Sequence, residues 1–464
     1  MKKILLTIGI FLSVLLSSCG SGDGFVELFN GKDFTGFKQL NGEAEFKVEN
    51  GELVGISTPN TPNSFMTTEK NYGDFILEFD VLCDNLLNSG VQFRSESKAD
   101  YNKGRVHGYQ CEIDPSSRAW SGGVYDEARR GWLMTLENNV DGQKAYRKGE
   151  WNHYRIEAFG DTIRIWLNGI NTAYLIDNMT SEGFIAFQVH SIGRDKKKVG
   201  KEIRWKNIRI KTEDVRASLN KGKLIPAICK IPNMLSEDEK REGWKLLFDG
   251  KTTAGWRGAH RDHFPTSGWT IKDGVLTIEA SGGGEATNAG DIVTVNEYSA
   301  FEFSVEFKLT PGANSGIKYF VTEEEKVDTK KKCSAFGLEF QLLDDALHAD
   351  AKKFTTYPGS RTLSSLYDVI AAPKKRFSGV NQWNTAVVKV FPNNHVEHWL
   401  NGYKTLEYER CSDDLRELIK GSKYANKVFN QGKEPFGEAP RGHILLQDHG
   451  DLVHFRSIKI RELK

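Results

Sequence analysis

The sequence predicts an all-β protein made of two tandem jelly-roll β-sandwiches, on three observations. Segments recur in the same order along the two halves of the 464-residue chain. Within each half, short runs alternate apolar and polar residues and end at Asn-Gly or Asp-Gly pairs, the punctuation of strands joined by tight turns. Neither half holds an apolar repeat of 3.6 residues long enough to mark a core helix. With 27 Phe, 14 Tyr and 10 Trp against 27% charged residues, the chain has ample material for packed cores and none of the bias of a disordered one.

In chain order, the first element is a leader. Lys2 and Lys3 precede an apolar run from Ile4 to Leu16, and Leu16-Ser17-Ser18-Cys19 follows as a small-residue cleavage site. The run is too short to span a bilayer, which takes about 20 apolar residues. Leu-Ser-Ser-Cys in that place resembles a bacterial lipobox, which implies lipidation of Cys19, export, and an outer-membrane lipoprotein on a periplasmic or surface face; several acyl chains hold stably where one does not.

The first β-sandwich is expected over residues 24–211, a linker with a short helix over 212–242, and the second sandwich over 243–464. Leu28-Phe29-Asn30-Gly31-Lys32 returns as Leu247-Phe248-Asp249-Gly250-Lys251, and Asn88-Ser89-Gly90 as Asn314-Ser315-Gly316. Tyr125-Asp126 returns as Tyr367-Asp368, and Trp166-Leu167-Asn168-Gly169 as Trp399-Leu400-Asn401-Gly402. Turns of unrelated β-proteins share one or two such strings, but not their order. In the linker, Pro226 and Pro232 interrupt regular structure, and Ser236-Glu237-Asp238-Glu239 has the form of a capping box opening a helix.

Charge and cysteines narrow the function. Lys+Arg and Asp+Glu number 63 and 62, so the basic surface that nucleic acid requires is lacking. Apart from Cys19, the scattered Cys83, Cys111, Cys229, Cys333 and Cys411 show no zinc spacing and an odd count, which favours buried free thiols. Cys83 with Cys111 is the one local pair to test.

Strand alternation sorts the polar residues. In the segment from His107 to Asp114, Tyr109, Cys111 and Ile113 face the core, so Gln110, Glu112 and Asp114 share the opposite face. The second half repeats this with Glu339 and Gln341, followed by Asp344. Gln92 and Arg94 correspond to Lys318 and Phe320; Gln188 and His190 correspond to Gln447 and His449, with Asp448 between the latter two. For any single strand a solvated face is the simpler explanation. The same residue types at matched positions in both halves point instead to a ligand-binding face. Trp132, Tyr125, Asp126 and Arg130 lie in a Gly-rich polar loop, where rings beside charges suit sugars; Tyr125 with Asp126 and Tyr367 with Asp368 are candidate rim residues.

Together with Trp244 to Lys251, Asn314 to Ile317 and Trp399 to Gly402, the strings Glu339-Phe340-Gln341-Leu342-Leu343-Asp344 and Leu446-Gln447-Asp448-His449-Gly450 resemble the 3-keto-disaccharide hydrolase domain family. The first half resembles a divergent branch of it, with Gln110 where the second has Glu339 and no Asp-His-Gly ending. The resemblance implies a concanavalin A-like sandwich. It also implies a hydrolase or lyase cleaving glycosides whose C3 hydroxyl has been oxidised to a ketone by a partner sugar 3-oxidoreductase. A C3 ketone acidifies the C2 proton; a base removes it and the enolate expels the C1 aglycone. His190 or His449 is the candidate base, and Arg94 or Lys318 the enolate stabiliser. A divalent metal held by Glu112 with His190, or by Glu339 with His449, is the alternative stabiliser. Glu112, Glu339, Gln341 and Asp344 complete the catalytic candidates, and His107, Gln92, Gln110, Asp114, Gln188, Gln447 and Asp448 the substrate-binding ones. Two rivals remain: a glycan-binding surface lipoprotein, and a jelly-roll endoglucanase, for which Glu112-Ile113-Asp114 lacks the third carboxylate.

Overall fold

The computed structural model describes residues 23–282, 289–323, 335–425 and 435–464; the leader, Cys19 and Cys333 lie outside the described residues. Two β-sandwiches follow one another, each a pair of antiparallel sheets around its own core. Among the described residues no helix is long and apolar enough to cross a membrane.

In the first sandwich a large sheet is centred on Asn152–Phe159, Phe75–Cys83 and Glu202–Lys211. The facing sheet runs Gly131–Met134, Val124–Glu127, His107–Ile113, Ser89–Glu96, Phe184–Val189, Ser64–Thr68, Phe37–Asn41. The alternating side chains of the two sheets interdigitate: Phe79 meets Phe187 edge-on at 6.3 Å, Phe187 meets Trp205 at 5.5 Å, and Phe75 meets Phe93 at 6.4 Å. Each such ring removed from water contributes on the order of 2–3 kcal/mol.

The second sandwich repeats the pattern, with Phe301–Leu309 flanked by Asn384–Val390 and Val453–Glu462 in one sheet, and Phe336–Leu343, Asn314–Thr322 and His443–Leu446 adjacent in the other. One difference matters for the site. The hairpin Val124–Glu127 and Gly131–Met134, which extends the first smaller sheet, has no strand counterpart among the described residues of the second; there isolated bridges join Phe340 with Leu366 and Leu366 with Ile370.

The segment between the sandwiches is tied to both. Ile228–Cys229 pairs in parallel with Ile170–Ile176. Ser236 and Glu239 form a reciprocal capping box on the helix Glu237–Arg241, and the Glu239 carboxylate also accepts Cys229 N–H at 2.9 Å and pairs with Lys459 of the second sandwich. The second half also contains the helix Asp413–Lys420, capped by Ser412, which the sequence reading did not mark: its apolar stripe of Leu415, Leu418 and Ile419 packs on the core but spans little more than one turn. Cys83 and Cys111 are separate buried free thiols, not a disulfide, and Cys229 is a free thiol as well.

Candidate active site

Register assembles the first site. Gln92 lies opposite Gln110, which lies opposite Tyr125, so three neighbouring strands present these side chains in one row on the face away from the core. Gly90 lies opposite Glu112. A Cβ on Gly90 would overlap the Gln110 side chain, so glycine makes the floor on which that amide lies.

The row is a connected network around one carboxylate. Gln110 Oε1 accepts from Gln92 Nε2 at 2.6 Å and from Gln188 Nε2 at 2.9 Å, which commits the Gln110 amide N–H to Glu112 Oε2 at 2.9 Å. The other Glu112 oxygen accepts from Asn88 at 2.7 Å and from Arg118 at 3.3 Å. Burial nonetheless outweighs these donors, and the negative Asp114 nearby adds to it, so the Glu112 carboxyl is pushed up to about 7. Glu112 is thus poised to hold or release a proton near neutrality.

Around Glu112 opens a cleft of about 570 Å³. Gln110, Asp114, Tyr125, Trp132 and His190 line it, with Asn88, Arg105, Arg118 and Glu127. Arg118 donates to Asp114 at 2.8 Å, and its guanidinium lies 4.8 Å from the Trp120 ring centre and 5.0 Å from that of Trp132. His190 follows the strand Phe184–Val189 and is exposed; its Nδ1 sits 2.8 Å from the Ser191 carbonyl, so Nδ1 holds the ring proton of the neutral imidazole and Nε2 offers a lone pair. Tyr125, pushed up to about 12 chiefly by burial, keeps its phenolic proton.

Other candidates lie elsewhere. Arg94 sits at a β-bulge with φ 45°, which breaks the alternation, and its guanidinium is buried against the Gly73 and Gly160 carbonyls and Asp74. Its counterpart Phe320 occupies a matching bulge with φ 51° and packs in the core. His107, at the far end of its strand, stacks on Tyr101 at 4.1 Å and bonds the Arg105 carbonyl. Asp126 points away from Tyr125 and is locked by Arg129 and Arg130, and Arg130 also pairs with Asp177, so neither lines the cleft. Arg118 and Asn88 were missed as site residues. Arg118 follows a Pro-Ser-Ser turn where no strand alternation assigns it a face, and the Asn88-Ser89-Gly90 repeat was the signal that could have marked Asn88.

The second copy redistributes the same positions. Lys318 lies opposite Glu339, replacing the Gln92–Gln110 amide pair by a cation and a carboxylate. A Cβ on Gly316 would overlap the Glu339 carboxylate and lie 3.2 Å from Gln447 Oε1, so Glu339 and Gln447 converge over this glycine. Lys318 Nζ stands 3.7 Å from Asp291, and Gln341 donates to Asn314 Oδ1 at 3.3 Å. Asp344 accepts the Gly312 and Ala346 N–H groups, and Asp448 those of Ala289, Gly290 and Gly450; both carboxylates hold backbone rather than face a ligand. Asp368 likewise binds Thr355, Arg361 and the Lys423 N–H, and the Tyr367 hydroxyl donates to Asp350 at 2.7 Å. Around His449 three groups that could hold a metal ion converge: His348, His449 and Asp451 each offer one ligand atom, all within 4.8 Å of one another. Two imidazoles and a carboxylate suit a divalent transition ion.

Comparison with known proteins places this geometry. The profile of the 3-keto-alpha-glucoside-1,2-lyase-like domain matches residues 24–211 and again 243–461. The chain belongs to this family. It carries the family domain twice, and the family places it among the enzymes that cleave glycosidic bonds. A 3-keto-disaccharide hydrolase of Bacteroides thetaiotaomicron is 36% identical over 238 residues, covering 48% of this chain and 79% of that protein. Two crystal structures from Parabacteroides distasonis, both provisionally described as glycosyl hydrolases, are also similar. One is 29% identical over 50% of this chain and 100% of its own, with a TM-score of 0.41. The other is 26% identical over 47% and 99%, with a TM-score of 0.33. With the second copy of the domain set beside the first, the polar face of the domain occurs in this chain in two chemical versions.

Proposed function

We propose that the protein cleaves 3-keto-glycosides by removing the C2 proton and expelling the C1 aglycone, with water then adding to the product or not. The observation that carries this reading is the cleft in which Glu112, buried and near its titration point, accepts from Arg118 while His190 lines the same cleft. His190 Nε2 takes the C2 proton, the Arg118 guanidinium stabilises the enolate that results, and protonated Glu112 gives its proton to the departing aglycone oxygen. In the second copy His449 is the base and Lys318, opposite Glu339, the cation. In the alternative, in which His449 is a ligand and not the base, His348, His449 and Asp451 would hold a divalent ion supplying Lewis-acid stabilisation of the enolate oxygen. The ketone itself must come from an enzyme that oxidises C3 of the sugar.

Aglycone release from a 3-keto-glucoside tests this reading. His190→Ala and His449→Ala should each lose part of the turnover, and the double variant at least a hundredfold. Unchanged turnover in the double variant would contradict the assignment; glycan binding without turnover by the wild type would favour a lectin. The leader supports the further proposal of an exported lipoprotein of the outer membrane. Cys19→Ser should abolish palmitate labelling and move the protein from the membrane to the soluble fraction, and an unchanged membrane fraction would overturn it.

A further inference from the structure

The first cleft is not walled by the first sandwich alone. Arg376 and Tyr403, both from the second sandwich, line it together with Glu112, Arg118 and Trp132. The Tyr403 hydroxyl accepts the Trp132 indole N–H at 2.6 Å, and its ring lies 5.9 Å from that of Trp120. Arg376 reaches over Tyr403, its guanidinium 5.5 Å from the ring centre, and is exposed, with no ion pair among the described residues. Gly402, in the turn before Tyr403, has φ +79°, and a Cβ there would lie 3.1 Å from Trp132 Cβ, so a bare backbone turn lets the second sandwich approach this closely.

The internal repeat supplies a control. Asn401-Gly402-Tyr403 corresponds to Asn168-Gly169-Ile170, and in the first copy Ile170, which opens the strand after the turn, is 39% exposed. A tyrosine opens the corresponding strand in the copy where it meets a neighbouring cleft.

We propose that Tyr403 and Arg376 form, with Trp132, a second-ring subsite of the first cleft, so that the second copy of the domain selects glycosides whose aglycone is itself a six-membered ring. The aromatic rings offer an apolar plane for a sugar or aryl ring, and Arg376 offers donors to ring hydroxyls. This deepens the function proposed above, because it locates the aglycone beyond Glu112, the group assigned to protonate it.

The test uses the full-length protein and two readouts. In a His449→Ala background, which leaves the first cleft as the working site, turnover is measured on the 3-keto derivatives of maltose, phenyl α-glucoside and methyl α-glucoside. Tyr403→Ala should raise KM tenfold or more for the sugar and aryl aglycones, and Arg376→Ala for the sugar aglycone, while both leave the methyl glycoside within twofold. Tyr403→Phe, which keeps the ring, should stay near the parent. An equal loss on the methyl glycoside, or no loss on any, would overturn the subsite. Tryptophan fluorescence titrations with unoxidised maltose, phenyl α-glucoside and methyl α-glucoside make the binding claim independent of the chemistry. Saturable binding of the ring-bearing ligands, weakened by Tyr403→Ala, supports the subsite even if no keto-glycoside turns over, an outcome that would count against the proposed reaction alone. No saturable binding of either ring-bearing ligand by the wild type would overturn the subsite.

Discussion

Glu112 concentrates the chemistry of the first copy in one proton. Its carboxyl is pushed from the ordinary 4.5 to about 7 by burial, against the pull of Asn88, Arg118 and Gln110. Because the folded state holds this proton more tightly than the unfolded chain, its contribution to stability is full below about pH 4.5. It falls as pH rises to about 7, and is level above that. Glu112→Gln should therefore flatten the melting temperature across that window and, at pH 8, melt higher than the wild type; a parallel, undiminished pH dependence in the variant would show the carboxyl to be unperturbed. As a general acid Glu112 must carry its proton, so kcat/KM in a His449→Ala background should fall as pH rises through about 7. Arg118→Ala removes the cation proposed for the enolate and should cost about 2–4 kcal/mol of transition-state stabilisation, read as a thirtyfold or larger loss in kcat. A change confined to KM would make Arg118 a binding residue only.

At the scale of the strand, alternation carried the sequence reading a long way and failed where the backbone leaves it. Gln92, Gln110 and Glu112 share one face as the period of two requires, and the matched positions in the second half put Lys318 opposite Glu339. Arg94 fails because a bulge with positive φ interrupts the strand, and a bulge leaves no mark in the apolar pattern. Asp126 fails for the opposite reason: alternation holds, so the neighbour of cleft-lining Tyr125 has to face away from it, and Glu127 takes the cleft position. Gly90 and Gly316 were legible as repeated residues, but their role as floors under Gln110 and Glu339 needs the packed neighbours. Gly316→Ala would push the carboxylate end of Glu339 and crowd the Gln447 amide oxygen, both ends of flexible side chains, and so should lower second-copy turnover tenfold or more, measured in a His190→Ala background, with a melting temperature shift of a few degrees at most. A large loss of stability with turnover per folded molecule retained would contradict that role.

Across the whole molecule, duplication was plain in the sequence because paired motifs keep their order, and each half rebuilds the same pair of sheets. The contact between halves was invisible, since alternation along the strand that Tyr403 opens says nothing of a partner in the other half, and that partner, Trp132, lies 271 positions away. The two copies have diverged in complementary directions. The first has an amide row around a neutralisable carboxyl and borrows its outer wall from its neighbour. The second has a lysine, a carboxylate and an adjoining His348, His449, Asp451 set. The central claim is that both act on the C2 proton of a 3-keto-glycoside, and the fate of that hydrogen tests it most directly. A 3-keto-glucoside labelled with deuterium at C2 is cleaved by the wild type and the sugar product analysed by NMR against an enzyme-free control. The account predicts aglycone release with the C2 label lost; aglycone release with the label retained would mean ordinary glycoside hydrolysis and contradict it.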